Sequence, residues 1–280
     1  MSHAHHFLAD DGEKIHLHIQ GQGSPVVFLH GWTSSHQEWF PFVAELSQHH
    51  TIYRWDARGH GGHTLRTGNT PTLTRMGQDL ANLLEHYDLH DATVIGHSMG
   101  ALTLWQYLQQ HGSQRLARVG FIDQSPRLLT GDGWQHGIYG DFDRTRAAAF
   151  SADLRSDFAE SVLRLGAYGL NQRAREKYEA DATGWKKSRE WLRTLPPEPL
   201  IGCWESLLEA DFRDLLAKID IPALLVYGGQ SNFYGLDTAH AVATAIPRAT
   251  LHIYDNADHS PHQWQRERFV RDVLDFINAA

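Results

Sequence analysis

The chain has 280 residues, 41% hydrophobic and 21% charged, with nine tryptophans, enough to bury one large core with room for an inserted piece. A formal net charge of -8 and the lack of any basic run exclude a phosphate-neutralising nucleic-acid binder. The single cysteine, Cys203, excludes an intramolecular disulfide and a thiolate-rich metal site, and neither a leader-like start at Met1 to Asp10 nor a bilayer-length apolar run is present, so the expectation is a cytoplasmic protein without a membrane partner.

The first expected element is a hairpin, since His6 to Ala9 and Lys14 to Gln20 flank Asp10-Asp11-Gly12 and a D-G turn joins runs of alternating apolar residues. His3, His5 and His6 are read as part of a frayed terminus. After Gly21-Gln22-Gly23-Ser24-Pro25 the pattern changes. Val26 to Leu29, Ile52 to Trp55, Thr93 to Ile95, Val119 to Ile122, Ala223 to Tyr227 and Leu251 to Tyr254 are short apolar runs without clean alternation, as expected of strands buried on both faces of a parallel sheet. Leu73, Met76, Leu80, Leu83, Leu84 and Tyr87 recur at helical spacing behind Thr70-Pro71, which predicts an N-cap and a first-turn proline. Phe269, Val270, Val273, Leu274 and Phe276 predict a closing helix. This alternation predicts an α/β fold with a mostly parallel central sheet and helices on both faces.

One region breaks the rhythm. Between Gln124 and about Lys218 strand-like runs give way to helix-forming pieces and aromatics, among them Trp134, Tyr139, Phe150, Trp185 and Trp204, punctuated by Pro196-Pro197-Glu198-Pro199. We read residues 124–218 as a helical cap inserted into a core made of residues 1–123 and 219–280. The cap's aromatics imply a small-molecule substrate, mostly apolar or aromatic.

Twenty histidines call for a metal test. His16 and His18 alternate on one strand face, and His86 and His90 stand four apart on an expected helix, but no H-E-x-x-H glutamate or carboxylate cluster lies at ligand spacing. They are read as solvated surface groups. Neither a metal nor a cofactor is expected.

Gly96-His97-Ser98-Met99-Gly100 fits G-x-S-x-G, directly after Ala92-Thr93-Val94-Ile95 and before the apolar-periodic Ala101 to Leu108. Strand, sharp turn and helix are the setting in which this motif forms a nucleophile elbow, so Ser98 is the candidate nucleophile. A serine hydroxyl needs a base within hydrogen-bond reach, and the base needs a group to hold its tautomer. His259, after the last strand and before the closing helix, is the candidate base. His262, expected in that helix's first turn, is its nearby decoy.

At this point the chain resembles the α/β-hydrolase superfamily over nearly its whole length. His30-Gly31-Trp32 looks like the oxyanion segment, Asp56-Ala57-Arg58-Gly59-His60-Gly61 like the D-x-R-G-x-G turn, Gly96 to Gly100 like the elbow, and His259 with Pro261 and Phe269 like the C-terminal histidine block. The resemblance implies the α/β-hydrolase fold and an oxyanion hole made by the backbone N–H groups of Trp32 and Met99. Asp56 and Arg58 are read as a structural turn and ion pair. Two departures are informative. Where the family often has G-x-x-D, this chain reads Gly229-Gln230-Ser231-Asn232, and an amide cannot stabilise an imidazolium by charge. The orienting acid is therefore assigned to Asp123, at the end of the strand after the elbow helix, with Asp237 as its rival. The second departure is Asp258, a carboxylate before the histidine, read as lying on the surface.

The resulting expectation is a cofactor-free serine hydrolase acting on carboxylic esters or related acyl compounds through an acyl-enzyme on Ser98. The same scaffold also hosts cofactor-independent dioxygenases of hydroxyquinoline type, in which the serine would only position substrate, and a ligand receptor is the non-enzymatic alternative.

Overall fold

The computed structural model describes residues 3–279. Its strands are β1 (His3–Leu8), β2 (Lys14–Gln20), β3 (Ser24–Leu29), β4 (His50–Asp56), β5 (Ala92–His97), β6 (Leu116–Ile122), β7 (Ala223–Gly228) and β8 (Ala249–Tyr254). They form one sheet in the order β1-β2-β4-β3-β5-β6-β7-β8. β1–β2 and β2–β4 pair antiparallel, and every other pairing is parallel. The helices of the frame are α1 (Val43–Leu46), α2 (Leu73–His86) and α3 (Met99–His111). Between β6 and β7 come α4 (Arg144–Ser156), α5 (Phe158–Ala167), α6 (Gln172–Glu179), α7 (Thr183–Leu192), α8 (Pro197–Leu208) and α9 (Arg213–Leu216). α10 (Leu236–Ala245), α11 (Pro261–Trp264) and α12 (Arg266–Asn278) complete the frame.

β5 and β7 are buried at every position, which is why their sequences do not alternate. Successive side chains still part to opposite faces. Val27 and Leu29 join one apolar cluster with α2, α3 and the helices after β6, while Val26 and Phe28 join a second with Trp39, Phe42 and the α12 residues Phe269, Val270 and Val273. The sheet is thus covered on both sides, as parallel sheets require.

Several local readings need correction. His3 to His6 are not frayed, because β1 pairs along its length with β2 and that main-chain ladder gives these residues a partner. The cap of α2 is Thr72, whose side chain accepts the Arg75 N–H at 3.2 Å, so Pro71 precedes the helix. α2 ends at His86, leaving His90 in the following loop against Asp88. Asp56 and Arg58 do not pair with each other. The Arg58 guanidinium is buried against Asp79 of α2 at 2.6 Å and Asp11 at 2.8 Å, whereas Asp56 receives His36 at 2.9 Å and His63 at 3.0 Å. A turn arginine reaches the carboxylates with which it can form forked bonds.

Nor are the histidines uniformly solvated: His30, His50, His60, His97 and His262 are buried. Burial pushes His262 down to about 4 and His60 to about 3. Such groups are neutral in the fold and protonate in the unfolded chain, so their stabilisation is complete above the ordinary histidine value and lost as pH falls. The His262 shift alone is worth about 3 kcal/mol between pH 6.5 and 4. His97, shifted upward, gives no compensation there, since its contribution is already complete below the ordinary value. The melting temperature should therefore fall as the buffer is taken from pH 7 to pH 5, and a flat profile would contradict the neutral burial of these rings.

Candidate active site

The backbone leaves β5 at His97 and enters α3 at Met99, so Ser98 must make the turn alone. It does so at φ 51° and ψ -117°, a region in which a side-chain-bearing residue is strained. The flanking glycines make that possible. A Cβ on Gly96 would lie 2.3 Å from the Gly100 backbone, and one on Gly100 would lie 2.2 Å from the Leu29 carbonyl oxygen.

Asp123 follows β6, one strand over, at φ 47°, and is fully buried. Its N–H donates to the Val226 carbonyl at 2.8 Å, extending the sheet by one bond. Oδ1 accepts the Gly228 N–H at 3.0 Å, and Oδ2 accepts the Ser231 hydroxyl and His259 Nδ1, each at 2.6 Å. Since a carboxylate accepts, Nδ1 carries the proton and the lone pair of the neutral ring is on Nε2. His259 lies on the loop after β8, its side chain 15% exposed, edge-on to Phe233 at 4.4 Å between ring centroids. Burial pushes its basicity below the usual histidine value, and the bond to Asp123 works against that.

Asp237 plays no part here. It is exposed on α10 and faces His136 Nδ1 at 3.4 Å. Asn232, the amide in the carboxylate's family position, instead accepts the His259 N–H on Oδ1 at 3.2 Å and donates Nδ2–H to the Gly166 carbonyl of α5 at 2.7 Å. An ionised carboxylate, which only accepts, could not do both. Asp258 is half-buried and accepts the Ser260 N–H at 2.8 Å, so its role is that of a local turn cap.

Trp32 follows β3, and Met99 opens α3, where the first N–H groups have no intrahelical partner. The two loops abut, for a Cβ on Gly31 would stand 3.5 Å from Ser98 Cβ. The indole of Trp32 is tied to the insertion by an Nε1–H bond to the Leu200 carbonyl at 2.9 Å and packs 5.0 Å from Trp204. These groups share one cavity of about 890 Å³, bordered by Ser98, Met99, His259 and Trp32 and walled by side chains such as Leu102, Ile138, Val162, Trp185 and Trp204. It lies where parallel sheets place ligands, outside the carboxyl ends of the strands.

Sequence reasoning missed a neighbouring cluster. Among the described residues, Glu38, His97 and His262 bring metal-ligand-type atoms within 4.8 Å of one another. Glu38 Oε1 lies 2.7 Å from His97 Nδ1 and 3.1 Å from His262 Nε2, and Oε2 accepts the Gly31 N–H at 3.0 Å. The other His97 nitrogen, Nε2, lies 2.9 Å from the carbonyl oxygen of His259. Because a carbonyl only accepts, Nε2 bears a proton, and the carboxylate asks for another on Nδ1. A ring protonated on both nitrogens is a hydrogen-bond donor and has no lone pair for a metal. The signal was present in the elbow itself, where His97 fills a variable position of the motif.

The sequence matches the family described as alpha/beta hydrolase fold over residues 24–265. The chain belongs to that family. Among its relatives is a non-heme chloroperoxidase of Kitasatospora aureofaciens, 29% identical, with 96% of this chain and 97% of the relative covered. A pimeloyl-acyl-carrier-protein methyl ester esterase of Chromobacterium violaceum is 27% identical, with 94% and 98% covered. An esterase from Exiguobacterium antarcticum superposes with a TM-score of 0.83 at 20% identity, covering 98% of this chain and 99% of that one. Relatives named as a methyl ester esterase and as an enol-lactonase support an enzyme. No helix among the described residues is long and apolar enough to cross a membrane.

The two bonds of Asn232 make a direct test. Asn232→Asp would set a carboxylate oxygen against the Gly166 carbonyl and place a new negative charge beside His259. Stability should fall by about 1–3 kcal/mol, and the His259 titration should move to higher pH, both measurable by denaturant melts and histidine NMR.

Proposed function

We propose that the protein is a serine hydrolase that cleaves carboxylic esters or related acyl compounds. The observation that carries this reading is the 2.6 Å bond from His259 Nδ1 to the buried Asp123 carboxylate, with His259 bordering the same cavity as the strained Ser98 turn. Ser98 Oγ attacks the carbonyl carbon while His259 Nε2 takes its proton, and Asp123 holds the ring and stabilises the imidazolium that forms. The Trp32 and Met99 N–H groups receive the oxyanion. His259 returns the proton to the departing alkoxide, leaving an acyl group on Ser98. Water, deprotonated by the same nitrogen, then releases the acid and restores the hydroxyl. The apolar walls favour an uncharged acyl part of small to medium size, and no cofactor takes part in these steps.

Ser98→Ala should lower kcat on a p-nitrophenyl ester by at least about 10³-fold, and Asp123→Asn by about 10³- to 10⁴-fold, with the fold intact by circular dichroism. A fluorophosphonate should label Ser98 in the parent protein only. Retained ester turnover in Ser98→Ala would refute the assignment, and oxygen uptake with a hydroxyquinolone in that variant would favour the dioxygenase chemistry in its place.

A further inference from the structure

We propose that Glu38 and His97 form a second buried carboxylate–imidazolium pair, set behind the proposed base, which clamps the backbone of His259 and keeps its ring in the free-base form. The inference rests on the proposed role of His259 and assigns positioning residues to that site. Three contacts fix the location of His259 in space. Asp123 holds the side chain, the Asn232 amide takes the backbone N–H, and His97 Nε2–H takes the backbone carbonyl. The third contact is unlike the others, because the residue that makes it adjoins the nucleophile in sequence. His97 ends β5 and Ser98 follows, so one rigid strand end determines both where the hydroxyl stands and where the base's carbonyl is anchored.

The proton count follows from the acceptors. With a carbonyl on one nitrogen and a carboxylate on the other, and side chains only 7% and 9% exposed, His97 is held as the imidazolium and Glu38 as its counter-ion. The surroundings agree, for the Glu38 charge raises His97 while the two histidines hold Glu38 well below the usual carboxylate range. The groups facing His259 are Asp123 and Asp258, which favour its charged form, and His97, which opposes it, with the ring centroids of His97 and His259 4.8 Å apart. Glu38, His259, Asp123 and His262 surround His97. His262 is the neutral member, donating Nε2–H to Glu38. A permanent cation beside the base discourages its premature protonation, and the short-lived imidazolium of the reaction still has Asp123 on its other side.

The experiment has two arms. Long-range ¹H–¹⁵N NMR at pH 7.5 should show one imidazole protonated on both nitrogens, lost in His97→Asn and turned neutral in Glu38→Gln. In ester hydrolysis, both variants should keep KM within about threefold and lose about ten- to hundredfold in kcat. Their acid limb of kcat/KM should move to higher pH, further in His97→Asn, which keeps the Glu38 charge, than in Glu38→Gln. Should His97→Asn not fold, Glu38→Gln carries both arms. A neutral His97 at pH 7.5 overturns the proposal, and so does a loss of kcat with the acid limb unmoved, the mark of a merely structural contact. The NMR arm is independent of Ser98 chemistry, so failure of the hydrolase reading, seen as full turnover in Ser98→Ala, stays distinguishable from failure of this one.

Discussion

Asp123 has no exposed surface, and a carboxylate so placed is tolerated only where donors replace the water it has lost. Three do so, from three places in the chain: the Gly228 backbone at the end of β7, the Ser231 hydroxyl just beyond it, and the imidazole of His259 after β8. Withdrawing any one leaves a buried charge underserved. The contacts that hold His259 therefore also tie together the carboxyl ends of β6, β7 and β8. The same charge acts on its surroundings, helping burial keep the phenols of Tyr227 and Tyr234 protonated, and both phenols bond to Gln124, the residue after Asp123. Site and scaffold share one electrostatic centre.

From that centre the insertion is tied down by main-chain and amide bonds. The loop after β7 gives the carbonyls of Asn232 and Phe233 to the N–H groups of Leu170 and Tyr139, and the Gln230 carbonyl to the Asn171 side chain. Asn232 adds its bridge to Gly166, and Trp32 reaches Leu200. Much of the cavity's apolar wall thus comes from the insertion, with Trp32, Leu102 and Phe233 added by the frame, whereas Ser98 and His259 stand on turns and loops that follow strands. Substitutions in α5 or α8 can reshape the cavity without removing these ties, because Gly166 and Leu200 contribute backbone carbonyls, which every residue supplies.

Much of this is legible in the chain, for reasons that are local. The strands are runs of Val, Ile and Leu, and the elbow compresses strand, strained residue and helix start into five positions. The candidate serine, histidine and acid are nominated by such short-range patterns, the acid partly by elimination because the familiar position holds Asn232, and the fold brings the last two into contact. What is not legible depends on distant partners. The amide's value lies in Gly166, 66 positions away. Arg58 chooses Asp79 and Asp11 over its neighbour Asp56 because a helix and a hairpin bring them alongside. A histidine count does not tell a solvated ring from one sealed at the carboxyl end of a central strand, so His97 passes for a motif spacer, and no local pattern marks Glu38, which the fold sets in a 3-10 helix over His36–Phe42.

The three clustered imidazoles show how little the residue type decides. His259, His97 and His262 stand with neighbouring ring centroids 4.8 and 4.7 Å apart, and burial disfavours charge on all three. What differs is the atom that each nitrogen meets. His262 shares Glu38 with a stronger claimant and is driven down to about 4. His97, between a carboxylate and a carbonyl, is raised. His262 has a lone pair on Nδ1 but is buried away from the cavity, whereas His259 borders the cavity and combines a lone pair on Nε2 with a carboxylate on Nδ1. In the roles proposed for them, identical side chains become base, cation and neutral neighbour according to the acceptors set around each ring.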